Sequence, residues 1–240
     1  MPERSSHSAT RPAARRSALS VDVVPLTPHG GQLATLLVRA GASRARERWE
    51  LAWDVMRGDE TLDDAATRIV RGALGALPAL LEQVAAVGDR RRHPGGATVS
   101  VGYLALIAAG GASPVGGSAA WFSVDQLPAM PPRHRALVDA ALQAVRSRLD
   151  QEPIAFRLLP AVFTLSQLQD VYELLLGRRL HKASFRRALH ASWLVEPTDE
   201  WRSEGRGRPA QLFRYAPRKR RGSRTGSGRC TTGSTSRSCR

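Results

Sequence analysis

Long apolar runs, cysteine and aromatic residues are all scarce in this 240-residue chain. No run approaches the roughly 18 apolar residues that span a bilayer, so no membrane-spanning helix is expected. The N-terminus carries arginines with no apolar stretch behind them, so no secretory signal is expected and a soluble, cytoplasmic protein is. Cys230 and Cys239 are the only cysteines, and both lie in the C-terminal tail. A disulfide there would staple no core, and two thiols with no nearby histidine fall short of a zinc site. Aromatics make up 5% of the residues, but hydrophobic residues as a whole reach 42%, enough for a sizeable core. Acids are missing from residues 218–240, which carry eight Lys and Arg, while residues 1–17 carry four Arg against one Glu. These tails hold 11 of the 15 excess positive charges, so the folded part is only mildly basic. Tail charge by itself is a weak sign of nucleic-acid binding.

Residues 1–18 and 218–240 read as disordered basic tails. Between them, "LSVDVVPL" (19–26) has the pattern of a strand, "HGGQ" (29–32) of a tight turn, and "LATLLVRA" (33–40) of the returning strand. A helix is predicted over 62–74, between an acidic run at 59–64 that suits the positive end of its dipole and Gly75. Strands at 80–89 and 97–108 flank the loop "DRRRHPGG", and 119–128 gives a short strand and turn. Residues 134–150 form an amphipathic helix, with Leu137, Ala141, Ala144, Val145 and Leu149 at helical spacing. Pro153 breaks it, and "QEPIAFRLLP" links to a second unit.

The order of these elements, with "GDETLDDAATRIVRGALG" (58–75) in the middle, resembles a Nudix hydrolase domain over residues 19–150. Glu60, Arg68, Val70 and Gly75 fall on positions of the Nudix box. Ile69, Gly72 and Ala73 stand where its three later glutamates belong, and Asp54 replaces its opening glycine. Positions i, i+3 and i+4 share one helical face. Three carboxylates there would hold Mg²⁺, a hard cation that takes oxygen ligands, and the metal would activate water against a pyrophosphate. Ile, Gly and Ala offer no side-chain oxygen. Asp63 and Asp64 lie at least five residues earlier, roughly 7 Å along the axis, and do not reach those seats. The expectation is therefore no catalytic residue, no metal and no pyrophosphatase activity, with Glu60 and Arg68 free to pair as a structural bridge. The alternative is a hydrolase of ADP-ribose or another nucleoside diphosphate derivative. On the loop, Arg90, Arg91 and Arg92 can clamp a diphosphate by bidentate hydrogen bonds, or form a solvated charge run. His93 reads as a surface histidine.

The second unit opens with a capping box, Thr164 to Gln167, and a helix that buries Leu165, Leu168, Val171, Tyr172 and Leu175 before Gly177 ends it. A second helix follows at 181–193, with Phe185, Ala188 and Leu189 inward and Lys182, Ser184, Arg186, Arg187 and His190 outward. A strand beginning "LVEP", a glycine-rich turn bearing Arg206 and Arg208, and a strand "QLFRYAP" with Gln211, Phe213 and Tyr215 on one face complete a winged helix-turn-helix. Such a unit places its second helix in a major groove of double-stranded DNA and its wing on the backbone or in a minor groove.

A Nudix-like domain followed by "EPIAFRLLPAVFTLSQLQDVYELLLG" and "GRGRPAQLFRY" resembles the Nudix-related transcriptional regulators of bacterial NAD metabolism. The fold class expected is α+β, a Nudix-like α/β/α sandwich with a mixed sheet at 19–150 and a winged helix at 151–217. The resemblance implies a homodimer on a palindromic operator, a repressor whose DNA affinity responds to ADP-ribose or a related nucleotide. Arg57, Glu60, Arg68, Arg90, Arg91 and Arg92 are the effector-binding residues expected. No cofactor beyond that effector and no membrane partner is expected.

Overall fold

The computed structural model describes residues 19–40, 48–91, 93–149, 151–192, 194–203 and 209–216. Arg92, Arg206, Arg208 and both tails, expected as effector, DNA and disordered residues respectively, lie outside them.

The central strand is β1 (Leu19–His29), which turns through Gly30 and Gly31, both at positive φ, into β2 (Gln32–Arg39). It pairs antiparallel with β2 on one side and parallel with β6 (Val99–Leu106) on the other, in register from Leu19 against Val99 to Leu26 against Leu106. Outward from these lie β3 (Trp49–Glu50) beside β2 and β5 (Leu80–Val87) beside β6. The short β4 (Ala52–Asp54) pairs with β1, and β7 (Ala119–Ser123) with β2. One parallel pair among antiparallel ones makes this the mixed sheet expected.

Helices cover both faces, so the strands are apolar on both sides. The helix α1 (Leu62–Leu74) packs its Ala65, Ala66, Ile69 and Val70 on Val21, Val23, Val101 and Tyr103. The helix α2 (Pro132–Arg148) covers the opposite face with Leu137, Val138, Ala141 and Val145 against Val24, Leu26 and Leu104. It starts two residues ahead of the span read from periodicity, because Pro132 suits the first helical turn. Leu137 sits so close to β6 that a Cβ at Gly102 would lie 2.6 Å from its Cδ2. Burying a leucine of this kind stabilises by about 1.5–3 kcal/mol. The alternation along β1 places Asp22 on the α2 face, among these apolar side chains, fully buried.

The segment after α2 is more than a link. A 3₁₀ turn (Ile154–Leu158) buries Ile154, Ala155, Phe156 and Leu158 in the same core that continues into the second unit. There β8 (Val162–Phe163), α3 (Leu165–Leu176), α4 (Lys182–Ser192), β9 (Val195–Arg202) and β10 (Ala210–Tyr215) form a winged helix, with β10 central in a three-stranded sheet. The capping box of Thr164 and Gln167 and the left-handed Gly177 are both in place. The register between β9 and β10 shifts between Gln211 and Phe213, with the extra residues on β9; Gln211, Phe213 and Tyr215 are each half-buried, and Leu212 between them is buried. Among the described residues no helix is long and apolar enough to cross a membrane.

Candidate functional site

Helix α1 is capped at Thr61, whose hydroxyl accepts from the Asp64 amide while the Asp64 carboxylate accepts from Thr61. Asp63 is also engaged, accepting from the Tyr103 hydroxyl at 2.6 Å. Burial and that acid push the Tyr103 phenol upward in pKa. Both first-turn acids are thus used by the fold.

One turn further on, Ile69, Gly72 and Ala73 line a cavity of about 530 Å³, shared with Trp53, Arg57 and Arg68. The three box positions that differ from the Nudix pattern form part of its wall. At its rim Arg68 donates to Asp54 at 2.7 Å, to both oxygens of Glu60 at 2.5 and 3.1 Å, and to the Val55 carbonyl at 3.1 Å. Arg57 adds a 2.6 Å ion pair to Asp54, and its amide donates to Glu60. Burial tends to raise the Asp54 carboxyl, but the Val55 amide, Arg68 and Arg57 hold it below the usual range. The Arg68 bond does the same for Glu60. The structural bridge expected between Glu60 and Arg68 is present, and Asp54 is its third member.

The loop 88–98 forms a second cavity, about 800 Å³, lined by Arg90, Arg91, His93 and Arg133. Arg133 is 2% exposed, and its guanidinium donates to the carbonyls of Asp89, Ala97 and Thr98 at 2.8, 2.9 and 3.2 Å. It thereby ties together the two ends of the loop. Arg91 lies 3.4 Å from Asp89, and Arg90 has no ion pair among the described residues. The expected effector set is therefore divided: Arg57 and Arg68 line one cavity, Arg90 and Arg91 the other. Trp53 stands where they meet. Its ring packs edge-on to His93 at 4.5 Å and fills the space that a Cβ on Gly95 would take, 2.2 Å away.

His93 is not a surface residue. Its side chain is fully buried, and Nε2 lies 2.9 Å from Asp22 Oδ1. His134, in the first turn of α2, places Nε2 3.0 Å from the same oxygen, without the alignment of a hydrogen bond. The other Asp22 oxygen accepts from Ser20 at 2.8 Å. Burial alone would raise the Asp22 carboxyl, but its contacts with His134 and His93 hold it well below the usual carboxylate range. Sequence reasoning missed Asp22 and His134. The available signal was a lone acid inside the apolar run "LSVDVVPL", which requires a buried partner.

In the winged helix, Glu173 accepts from Gln169 at 2.8 Å, from the Leu180 amide at 2.9 Å and from Arg179 at 2.9 Å. Gln169 also donates to the Leu180 carbonyl at 3.1 Å. These bonds fix the turn that delivers α4. Tyr172 packs edge-on to Phe185 at 5.3 Å, and Leu189 is buried. Lys182, Ser184, Arg187 and His190 are exposed along α4, as expected. Arg186 is half-buried with a partnerless Nε, and Ala188 is exposed rather than inward. Both residues flank the Phe185–Leu189 stripe at similar angles, and tertiary packing decides which flank is covered.

A Nudix-type domain built onto a winged helix has the architecture of a DNA-binding regulator. Residues 155–215 match the NrtR DNA-binding winged helix domain. The chain is 31% identical over 205 residues to the ADPR responsive transcriptional repressor NtrR of Acinetobacter baylyi, covering 82% of each chain. It is also similar to the structure of Shewanella oneidensis NrtR complexed with a 27mer DNA, with 28% identity and a TM-score of 0.68, over 83% of this chain and 94% of that one. A MutT/nudix family protein from Enterococcus faecalis shares the fold at 19% identity and a TM-score of 0.63, over 88% of this chain and 90% of that one. The chain belongs to the NrtR family of Nudix-related transcriptional regulators.

Proposed function

We propose that this chain is a cytoplasmic transcriptional repressor that binds operator DNA as a homodimer and whose DNA affinity changes when ADP-ribose or a related nucleotide enters its Nudix domain. Residues 19–150 are the effector and dimerisation unit, and 151–217 the DNA-binding unit. Lys182, Ser184, Arg187 and His190 of α4 meet the major groove, with Arg186 at the edge of that face and Arg206 and Arg208 on the wing. Arg90, Arg91 and Arg92 take the diphosphate, while Arg57, Glu60 and Arg68 shape the rim of the neighbouring cavity.

The observation that carries the sensing reading is the cavity wall at Ile69, Gly72 and Ala73. Mg²⁺ requires oxygen ligands, and none of these three side chains has one. The acids of the cavity lining are Asp54, engaged by Arg57 and Arg68, and Glu50, which accepts from the Trp53 indole, while Glu60 beside them is engaged by Arg68. These residues do not fit a catalytic metal, so the nucleotide is bound and not cleaved. Two measurements test the proposal. Excess ADP-ribose should raise the melting temperature by mass action, and no Mg²⁺-dependent turnover should accompany it. Gel shifts with genomic fragments should show selective binding, and weak, sequence-indifferent shifts would sink the regulator reading.

A further inference from the structure

Asp22, His93 and His134 lie on three different elements: the central strand, the arginine loop and the first turn of α2. Their ligand atoms all fall within 4.8 Å of one another, a spacing that suits a metal ion. The tautomers argue otherwise. His93 Nδ1 accepts from the Gly95 amide at 3.0 Å, and His134 Nδ1 accepts from the Leu51 amide at 3.1 Å. Each neutral ring therefore carries its proton on Nε2, facing Asp22 Oδ1, and has no lone pair there for a metal. What remains is a buried carboxylate that receives one well-formed imidazole bond, from His93, and one misaligned donor, from His134.

The shared carboxylate joins the first turn of α2 to the arginine loop. A small displacement of that turn would align the His134 donor, and a displacement of the loop moves the competing His93 donor. The far end of α2 reaches the winged helix, because Arg146 donates to the Leu175 carbonyl at the end of α3 at 3.0 Å. Trp53, which lines the box cavity, rests on His93. A contiguous path thus runs from cavity wall to DNA-binding unit: Trp53, His93, Asp22, His134, α2, Arg146, α3.

We propose that the Asp22–His93–His134 cluster is the joint through which effector occupancy is transmitted to the winged helix, with these three as positioning residues and Arg146 as its output contact. This rests on the effector reading above. Coupling between two sites is a free energy that can be removed while each site still binds. The test uses the full-length chain, ADP-ribose, and a duplex selected by the wild-type protein from a random pool. In the wild type ADP-ribose should change DNA affinity by about 5-fold or more, the lower end of common couplings. Asp22→Asn, His134→Gln and the exposed-site variant Arg146→Met should each still bind ADP-ribose and the duplex separately, with DNA affinity no longer responding to the nucleotide. If the buried variants fail to fold, Arg146→Met decides. Wild-type coupling in Arg146→Met, or in a folded Asp22→Asn, overturns the joint and leaves the effector reading intact. A wild-type protein that does not bind ADP-ribose overturns the effector reading, and the joint with it.

Discussion

Arg68 and Arg90 belong to the same expected effector set, yet they sit in opposite electrostatic settings. Arg68 is bound by Asp54 and Glu60 and shares Asp54 with Arg57, so the positive charge of the box cavity is spent within the protein. Arg90 and Arg91 line a cavity that, among the described residues, holds one acid, Asp89, and three arginines, Arg133 included. An incoming diphosphate would compete with carboxylates in the first cavity and meet surplus cation in the second. Proximity in sequence to the Nudix box marks Arg68 as a ligand residue, whereas its bonding marks it as a girder between α1 and the segment after β4.

Substitutions separate the two cavities. The largest expected effect is on the loop: Arg90→Ala with Arg91→Ala should weaken ADP-ribose binding at least about tenfold, since a single hydrogen bond to a charged group contributes about 1.5–3 kcal/mol. Calorimetric titration measures this, and the melting temperature of the free protein should barely move, because both side chains are exposed. Next, Gly95→Ala drives a methyl group into the Trp53 ring and should destabilise by about 1–3 kcal/mol, read by urea unfolding, while disturbing both cavities together. Arg68→Gln should show the reverse of the loop variant: a lower melting temperature with a smaller loss of ADP-ribose affinity. A larger affinity loss from Arg68→Gln than from the loop pair would invert the assignment.

Two smaller effects sharpen the picture. Asp22 is depressed in the folded state, so its stabilising contribution is complete above the ordinary aspartate value of about 3.9 and is lost as acid titrates below it. Asp22→Asn should therefore flatten the acid limb of the stability profile below about pH 4 without changing its alkaline limb. The smallest effect is expected from deleting residues 218–240. Affinity for all duplexes should fall similarly through lost counterion release, and the ranking of sequences in a gel shift should stay the same.

The box helix, the long strands and the winged helix were legible because each has a local cause. Thr61 and Thr164 cap their helices, and Gly75 and Gly177 end them at positive φ. The exposure of Lys182, Ser184, Arg187 and His190 along α4 followed from helical spacing for the same reason. Arg186 and Ala188 did not, because spacing alone assigns both flanks of a stripe equally.

His93 shows the limit more sharply. A histidine among three arginines and a Pro-Gly-Gly turn has every local mark of exposure, and yet its side chain is fully buried. By itself the amino-acid order determined the elements, their caps, their order and the loss of oxygen ligands at 69, 72 and 73, since these depend on residues within a turn or two of each other. Only the tertiary structure decided that residues 22, 93 and 134 share one buried carboxylate oxygen, and that the arginines at 68 and 90 face different cavities. Those facts depend on which strand lies beside which and on how helix α2 sits across the sheet, distances that no local spacing encodes.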